Sequence, residues 1–582
     1  LIRHVAEGRG DTLPETVLAL VQSRLDGLET EARRIVRAAS VFGDVFWQGG
    51  VAALLGGTVD AGDLGASVNV LVQGEIFSAA SENRFLGQRE YAFRHSLLRE
   101  ATYGMLTDAD RTMGHGLAGD WLERAGETDA LTLAGHFERG DALSRAVPWF
   151  LRAAEAAWEG GNMEAVIALA DRGIACGPDD AERGLLYCVQ TSALVQRGQW
   201  SMVVEKAREA MALLSEGSAP WFGCAARIFS AGMFLGDSSV TGPALRAMLG
   251  VSVQPEPTGS YAWAVHQTCV GLTSMGQFEV AQSFLERAEA MVQGASDPDP
   301  VFVLRLRTAR AWIHLTSGEP GRTLAVLSAA RHWVDRSGDS WGQAALATFS
   351  VWALAEVGSC ERAEAAAREV RALSETGQPL RAQGNAVEML APWSYWIDYG
   401  AFGLACAMVL TDRASDAVAP LQKLLDGPFQ SLASRARALL AHALVAIDDL
   451  DGGLREATAA MEGNAISPST RVLAFAALAR LELRHRRPTE ALASVERGLD
   501  ASASGWRFSA TTSMLQLARA EAFHMLGRRE VAYPAIREAR DRILRVADTV
   551  EDPKLRHSYL TNIEANARTL RLAKEWLGED AP

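Results

Sequence analysis

Cysteine is scarce in this chain and never paired. Its six residues, Cys176, Cys188, Cys224, Cys269, Cys360 and Cys406, stand singly, with no Cys-x-x-Cys pair and no histidine at ligand spacing beside any of them. That pattern speaks against a zinc module or a disulfide framework and for small buried side chains in a reducing compartment. No apolar run reaches the roughly 18 residues needed to cross a bilayer, and the start is not a basic-then-apolar signal segment, so a cytoplasmic protein without a membrane partner is expected. Basic charge is also in deficit: the net charge is −14, which argues against a generic nucleic-acid or anionic-membrane surface. There is no Gly-x-x-x-x-Gly-Lys-Ser/Thr phosphate loop, nor a kinase Gly-rich loop followed by a His-Arg-Asp segment. No catalytic residue, metal ligand or cofactor is therefore assigned within these residues. An initiator methionine is missing too, and the residues after Leu1 read as the end of a helix, so a piece of a longer protein is expected.

What is present is a spacing. A glycine is followed by Ala or Thr five residues on, then by small or apolar residues four and seven further: Gly276, Ala281, Leu285, Ala288; Gly318, Thr323, Leu327, Ala330; Gly358, Ala363, Ala367, Val370; Gly527, Ala532, Ile536, Ala539. A turn glycine before a helical face of small residues lets two helices pack closely, and a period of about 40 residues is that of a helical-repeat solenoid. Helix pairs are read near 181–214, 220–249, 260–292, 300–335, 340–374, 390–425, 430–462, 469–500 and 507–547, after first helices at Leu131–Phe137, Ala146–Trp158 and Met163–Ile174. Leu555–Leu577 reads as a terminal cap. Loops are expected at 253–259 and 294–300 and in the stretch from Ser374 to Pro392.

The first section, to about residue 125, differs in texture from the rest. Pro14 opens a short amphipathic helix, Thr30 is placed to cap a second that ends at Gly43, and a third runs from Asp63 to Val72. Ile76-Phe77 and Tyr91-Ala92-Phe93 then flank a polar stretch as two hairpin strands would. Three helices and a hairpin describe a winged helix. From Gly43 to Ala80, however, there is no Lys or Arg, so the would-be recognition helix has nothing with which to neutralise phosphates, and no direct nucleic-acid contact is expected.

The segments Leu13-Pro14-Glu15-Thr16-Val17, Ser23-Arg24-Leu25-Asp26-Gly27-Leu28, Ala32-Arg33-Arg34, Ala38-Ala39-Ser40-Val41-Phe42-Gly43 and Phe93-Arg94-His95-Ser96-Leu97-Leu98-Arg99-Glu100 together resemble the region just after the nucleotide-binding core of bacterial STAND-type AAA ATPases. The closest in texture are signalling proteins in which a serine/threonine kinase or adenylyl cyclase domain precedes the ATPase and a tetratricopeptide-like tail. The resemblance implies an all-α chain: the end of the ATPase lid at 1–12, a winged helix at 13–107, bridging helices at 108–142, a tetratricopeptide-like α-solenoid, a superhelix of helix hairpins, at 143–552, and a capping helix and tail at 553–582. In that superfamily a Met-His-Asp-like motif places a histidine on the β-phosphate of ADP. By resemblance His95, with Arg94, is the nucleotide sensor, with Ser96 where the motif has Asp, and ATP/ADP belong to the parent protein.

Fifteen tryptophans are unusual for such an array. Trp333, Trp341 and Trp352 cluster in sequence, as do Trp393, Trp396 and Tyr399; the latter three form the preferred partner-binding patch, because Trp and Tyr are enriched at binding hot spots. The leading function is a non-catalytic regulatory and sensor region of a signalling ATPase or kinase, with a protein or small effector on the repeats and the winged helix relaying to an upstream nucleotide-binding domain. The alternative is the same region of an ATP-dependent transcription regulator whose DNA-binding domain is absent here. A free-standing repeat scaffold comes third.

Overall fold

The computed structural model describes residues 25, 27–56, 61–251, 259–293, 297–376, 393–427, 430–462, 467–503 and 505–578. The expected lid segment 1–12, the helix opening at Pro14 and most of the three anticipated loops lie outside them. Among the described residues the protein is all-α apart from one small sheet, and most of it is a tetratricopeptide-like α-solenoid. No described helix is long and apolar enough to cross a membrane. Two compact units divide the chain, Leu1–Leu186 and Tyr187–Pro582; the expected boundary at 142/143 falls inside the first.

In the first unit, the helix Thr30–Phe42 buries Ile35, Val36, Ala38 and Ala39 on one face. Thr30 is its first residue rather than its cap: Glu29 takes the extended cap position and contributes no side-chain hydrogen bond. Strand β1 (Val45–Trp47) and a short helix (Gln48–Leu54) follow, neither of them anticipated, since three residues carry too little alternation to be read as a strand. After the helix Ala61–Gln73 come β2 (Phe77–Ala79) and β3 (Glu90–Phe93), which pair antiparallel with β3 in the centre of the sheet, Phe77 opposite Phe93 and Val45 opposite Ala92. Phe46, Phe77, Tyr91 and Phe93 interlock as the core of this module, with ring centroids 4.5 to 5.8 Å apart. The helix Asp108–Ala125 begins at a capping box made by Thr107 and Asp110 and stops at left-handed Gly126, a pattern that satisfies orphan backbone groups at both ends.

In the second unit the glycine spacing has a visible cause. Gly276, Gly318, Gly358 and Gly527 all have φ between 69° and 79°. In each turn the residue after the glycine donates its N–H five residues back, as Gln277 does to Leu272 at 2.8 Å and Ser359 to Leu354 at 2.9 Å, which is the Schellman end of a helix. The small residues that follow are the buried ones: Ala281, Leu285 and Ala288, and likewise Ala532, Ile536 and Ala539, are at most 1% exposed. Two further turns adopt the same geometry without glycine, at Asp448 (φ 68°) and Arg486 (φ 57°), where Asp449 and Arg487 make the equivalent bonds to Leu444 and Glu482.

The array does not end as an open stack. Leu555–Leu577 is two helices, Pro553–Thr561 and Glu564–Leu577, and the segment from Trp506 to Ile563 returns to helices near the middle of the unit. Arg507 donates its N–H to the Thr316 carbonyl at 2.7 Å, Ser558 Oγ donates to the Gly358 carbonyl at 2.8 Å, and Arg362 pairs with Asp552 at 2.8 Å. The repeat glycines make room for this: a Cβ at Gly318 would lie 2.5 Å from the Arg507 carbonyl oxygen, and one at Gly321 would lie 2.3 Å from that of Thr549.

Candidate functional site

Arg94 and His95 lie where the sequence places them, between β3 and the helix Ser96–Gly104. His95 is the cap residue, in extended conformation; its side chain makes no cap hydrogen bond, while its carbonyl accepts from Leu98 at 3.0 Å. Arg94, His95 and Ser96 are exposed, and Arg94 reaches Glu75 only at 4.0 Å. An exposed cation and an imidazole at a helix start can both donate to an anion.

The hairpin loop of the same module is tied down. Arg84 donates to Glu127 at 2.5 Å, and the same carboxylate oxygen accepts the backbone N–H groups of Thr128 and Asp129 at 2.7 Å. Trp47, Phe85 and Trp121 pack together beside it, and the Trp47 indole donates to Glu90 at 2.9 Å.

The tryptophans sort differently from their order in sequence. Trp393 has its side chain outside the described residues. Trp396 and Tyr399 are core residues, 4% and 5% exposed, so they do not form the surface patch the sequence suggested: Trp396 packs edge-on against Trp341, and Tyr399 stacks on Trp352 at 5.3 Å. Large aromatics at this spacing fill the gap between neighbouring helices, where burial of their area is worth most. Trp333, by contrast, is only half-buried under the Arg336 guanidinium and lines an open groove with Glu286, Glu289 and Arg307.

Tyr399 leads to a place the sequence did not mark. Its hydroxyl accepts from Arg435 Nη1 at 2.7 Å, and the Arg435 guanidinium lies over the Trp506 ring at 4.8 Å. Together with Trp352, Glu356, Cys406, His442 and Phe508, Arg435 and Trp506 wall an internal cavity of about 40 Å³. His442 Nε2 donates to the Leu473 carbonyl at 2.8 Å, which leaves the Nδ1 lone pair facing no partner among the described residues; burial, with the Arg480 cation in support, lowers this histidine to about 4 and keeps it neutral. The Trp506 indole N–H is buried and has no hydrogen-bond acceptor among the described residues. Glu356 accepts the Ala510 N–H at 3.0 Å, capping the helix Ser509–Met525 from 154 residues away, and burial raises its carboxyl to about 7 against the pull of that hydrogen bond and of Arg542.

Neither a protein-family model nor a curated protein matches this chain. Among solved structures it is similar to the STAND protein PH0952 from Pyrococcus horikoshii, which has a tetratricopeptide repeat sensor, at 11% identity over 84% of this chain and 66% of that one, TM-score 0.41. It is also similar to a Rap protein complexed with Competence and Sporulation Factor, at 10% identity over 65% of this chain and 99% of that one, TM-score 0.38, and to yeast Tom70, at 10% identity over 81% and 99%, TM-score 0.29. With all three scores below 0.5, none decides what this chain does.

The cavity of about 40 Å³ accepts one or two water molecules, and its unfilled donor and acceptor suit such an occupant. No sequence signal could have located it, because its walls come from five helices and a loop that only the return of the chain brings together.

Proposed function

We propose that this chain is the non-catalytic regulatory and sensor region of a multidomain signalling ATPase or serine/threonine kinase, whose repeats bind a protein or a small effector. The N-terminal module, read as a winged helix, relays that event to an upstream nucleotide-binding core. The observation that carries the reading is the returning C-terminal segment, which closes on the middle of the unit through aromatic packing of Trp506 on Trp312 and Phe508 on Trp352, and through polar contacts at Gly358 and Arg362. Helical repeats present extended surfaces to other molecules, and a partner that binds an opened arrangement of the array better than the closed one shifts the population toward it.

In this reading His95 donates to the β-phosphate of ADP in the resting state and loses that bond when the domains part. The test is ADP retention by the longer protein that carries this chain, with and without His95→Ala. Release at least tenfold faster in the variant is expected; unchanged release removes the sensor role. Deletion of residues 1–124 should leave partner binding intact if the repeats do the recognising.

A further inference from the structure

Two of the scattered cysteines meet inside the second unit. Cys188, on the helix Asp180–Gln196, and Cys224, on the helix Ala219–Leu235, place their sulfurs 3.1 Å apart although 36 residues separate them. Both are fully buried. A third group joins them: Arg227, one turn after Cys224 and 3% exposed, brings its guanidinium to the Cys224 sulfur while stacking over Trp263 at 5.0 Å. A buried cation beside a thiol favours the thiolate, the nucleophilic form, and the second thiol can donate its hydrogen to that thiolate.

We propose that Cys188 and Cys224 form a redox-active pair that a hydroperoxide converts to an inter-helix disulfide, with Cys224 as the attacking sulfur and Cys188 as the resolving one. The Cys224 thiolate attacks one peroxide oxygen; the O–O bond breaks, an S–O bond forms, and hydroxide leaves. The Cys188 sulfur then displaces the hydroxyl from the resulting sulfenic acid, its proton departing with that hydroxyl as water. Two thiols and one peroxide give one disulfide and two waters; the sulfurs lose two electrons and the peroxide gains them. The two helices are thereby stapled, and thiol reductants reverse the step. The other cysteines lack this arrangement: burial raises Cys176, Cys269, Cys360 and Cys406, whereas the hydrogen bond from Cys188, with Arg227 behind it, lowers Cys224.

Mass spectrometry tests this directly, since trypsin puts the two residues on separate peptides, 184–197 and 209–227, each with a single cysteine. Folded protein is exposed overnight to hydrogen peroxide in native buffer and alkylated before digestion. The expected result is a cross-link between these two peptides that dithiothreitol removes, and a Cys188→Ala variant that instead accumulates a dimedone-trapped sulfenic acid on Cys224. Cys224→Ala should leave Cys188 in its reduced mass. Recovery of both peptides reduced overturns the proposal, as does a cross-link that forms only in urea, or sulfenic acid trapped equally on Cys188 and Cys224 in the two single variants. The wild-type mapping stands even if either alanine variant loses helicity.

Discussion

Glu356→Gln keeps an acceptor oxygen for the Ala510 N–H and removes the charge. Burial raises the Glu356 carboxyl from 4.5 to about 7, so the closed arrangement holds its proton over a pH range in which an opened chain has already lost it. Closed protein then binds more protons than open protein, and its stability falls as pH rises: the contribution is fully present below 4.5, declines through the window up to 7, and is gone by pH 8. Between pH 5 and pH 8 this amounts to about 2.5 kcal/mol, or roughly 70-fold in the opening equilibrium. Hydrogen exchange reads it in the helix Ser509–Met525, once the intrinsic pH dependence of exchange is divided out. Protection of that helix should drop by this order in the wild type and stay level in Glu356→Gln, which should be the better protected of the two at pH 8. A wild type with no drop, or a Gln variant with the same drop, refutes the assignment of this pH dependence to the Glu356 carboxylate.

The other substitutions separate docking from stacking. Gly321→Ala pushes a Cβ against the Thr549 carbonyl and should cost about 1–3 kcal/mol as an overpacked contact, with new protease sensitivity confined to the returning segment. Gly527→Ala meets nothing within 4 Å but must hold φ near 72°; it should cost about 1–2 kcal/mol in thermal unfolding and leave the docking unchanged. The Arg305–Asp339 pair, 0% exposed on both sides, should make Arg305→Leu costly by about 3–5 kcal/mol, because an uncompensated carboxylate remains, while Arg305→Leu with Asp339→Asn recovers most of that loss. Equal destabilisation in denaturant melts of the single and double variants would contradict this. Trp396→Ala should cost about 3–5 kcal/mol as a core truncation, with or without any binding partner; a neutral outcome would return Trp396 to the surface.

Much of the helix content was readable because helical periodicity is written in residues three and four apart. Every pair expected between 181 and 547 has its counterpart, and the glycine spacing located the left-handed turns that only glycine adopts at little cost. The same signal fails at Asp448 and Arg486, where packing on either side imposes the turn on residues that resist it. It fails again at β1, too short to carry a pattern. The candidate sites divide along the same line: Arg94 and His95 follow from a local strand-to-helix junction, whereas the aromatics from Trp393 to Tyr399 looked available only because sequence does not say which face of a helix a neighbour covers.

From its sequence alone this protein was determined to be paired helices with close, small-residue faces and glycine-ended turns, since those are consequences of neighbours along one chain. The tertiary structure decided that the far end of the array returns to the middle, that Glu356 caps a helix 154 residues away, and that Cys188 touches Cys224. The first two depend on how small angular steps add up over many repeats, a sum to which every helix pair contributes; the third depends on which faces of two neighbouring helices meet, which no single stretch of residues records.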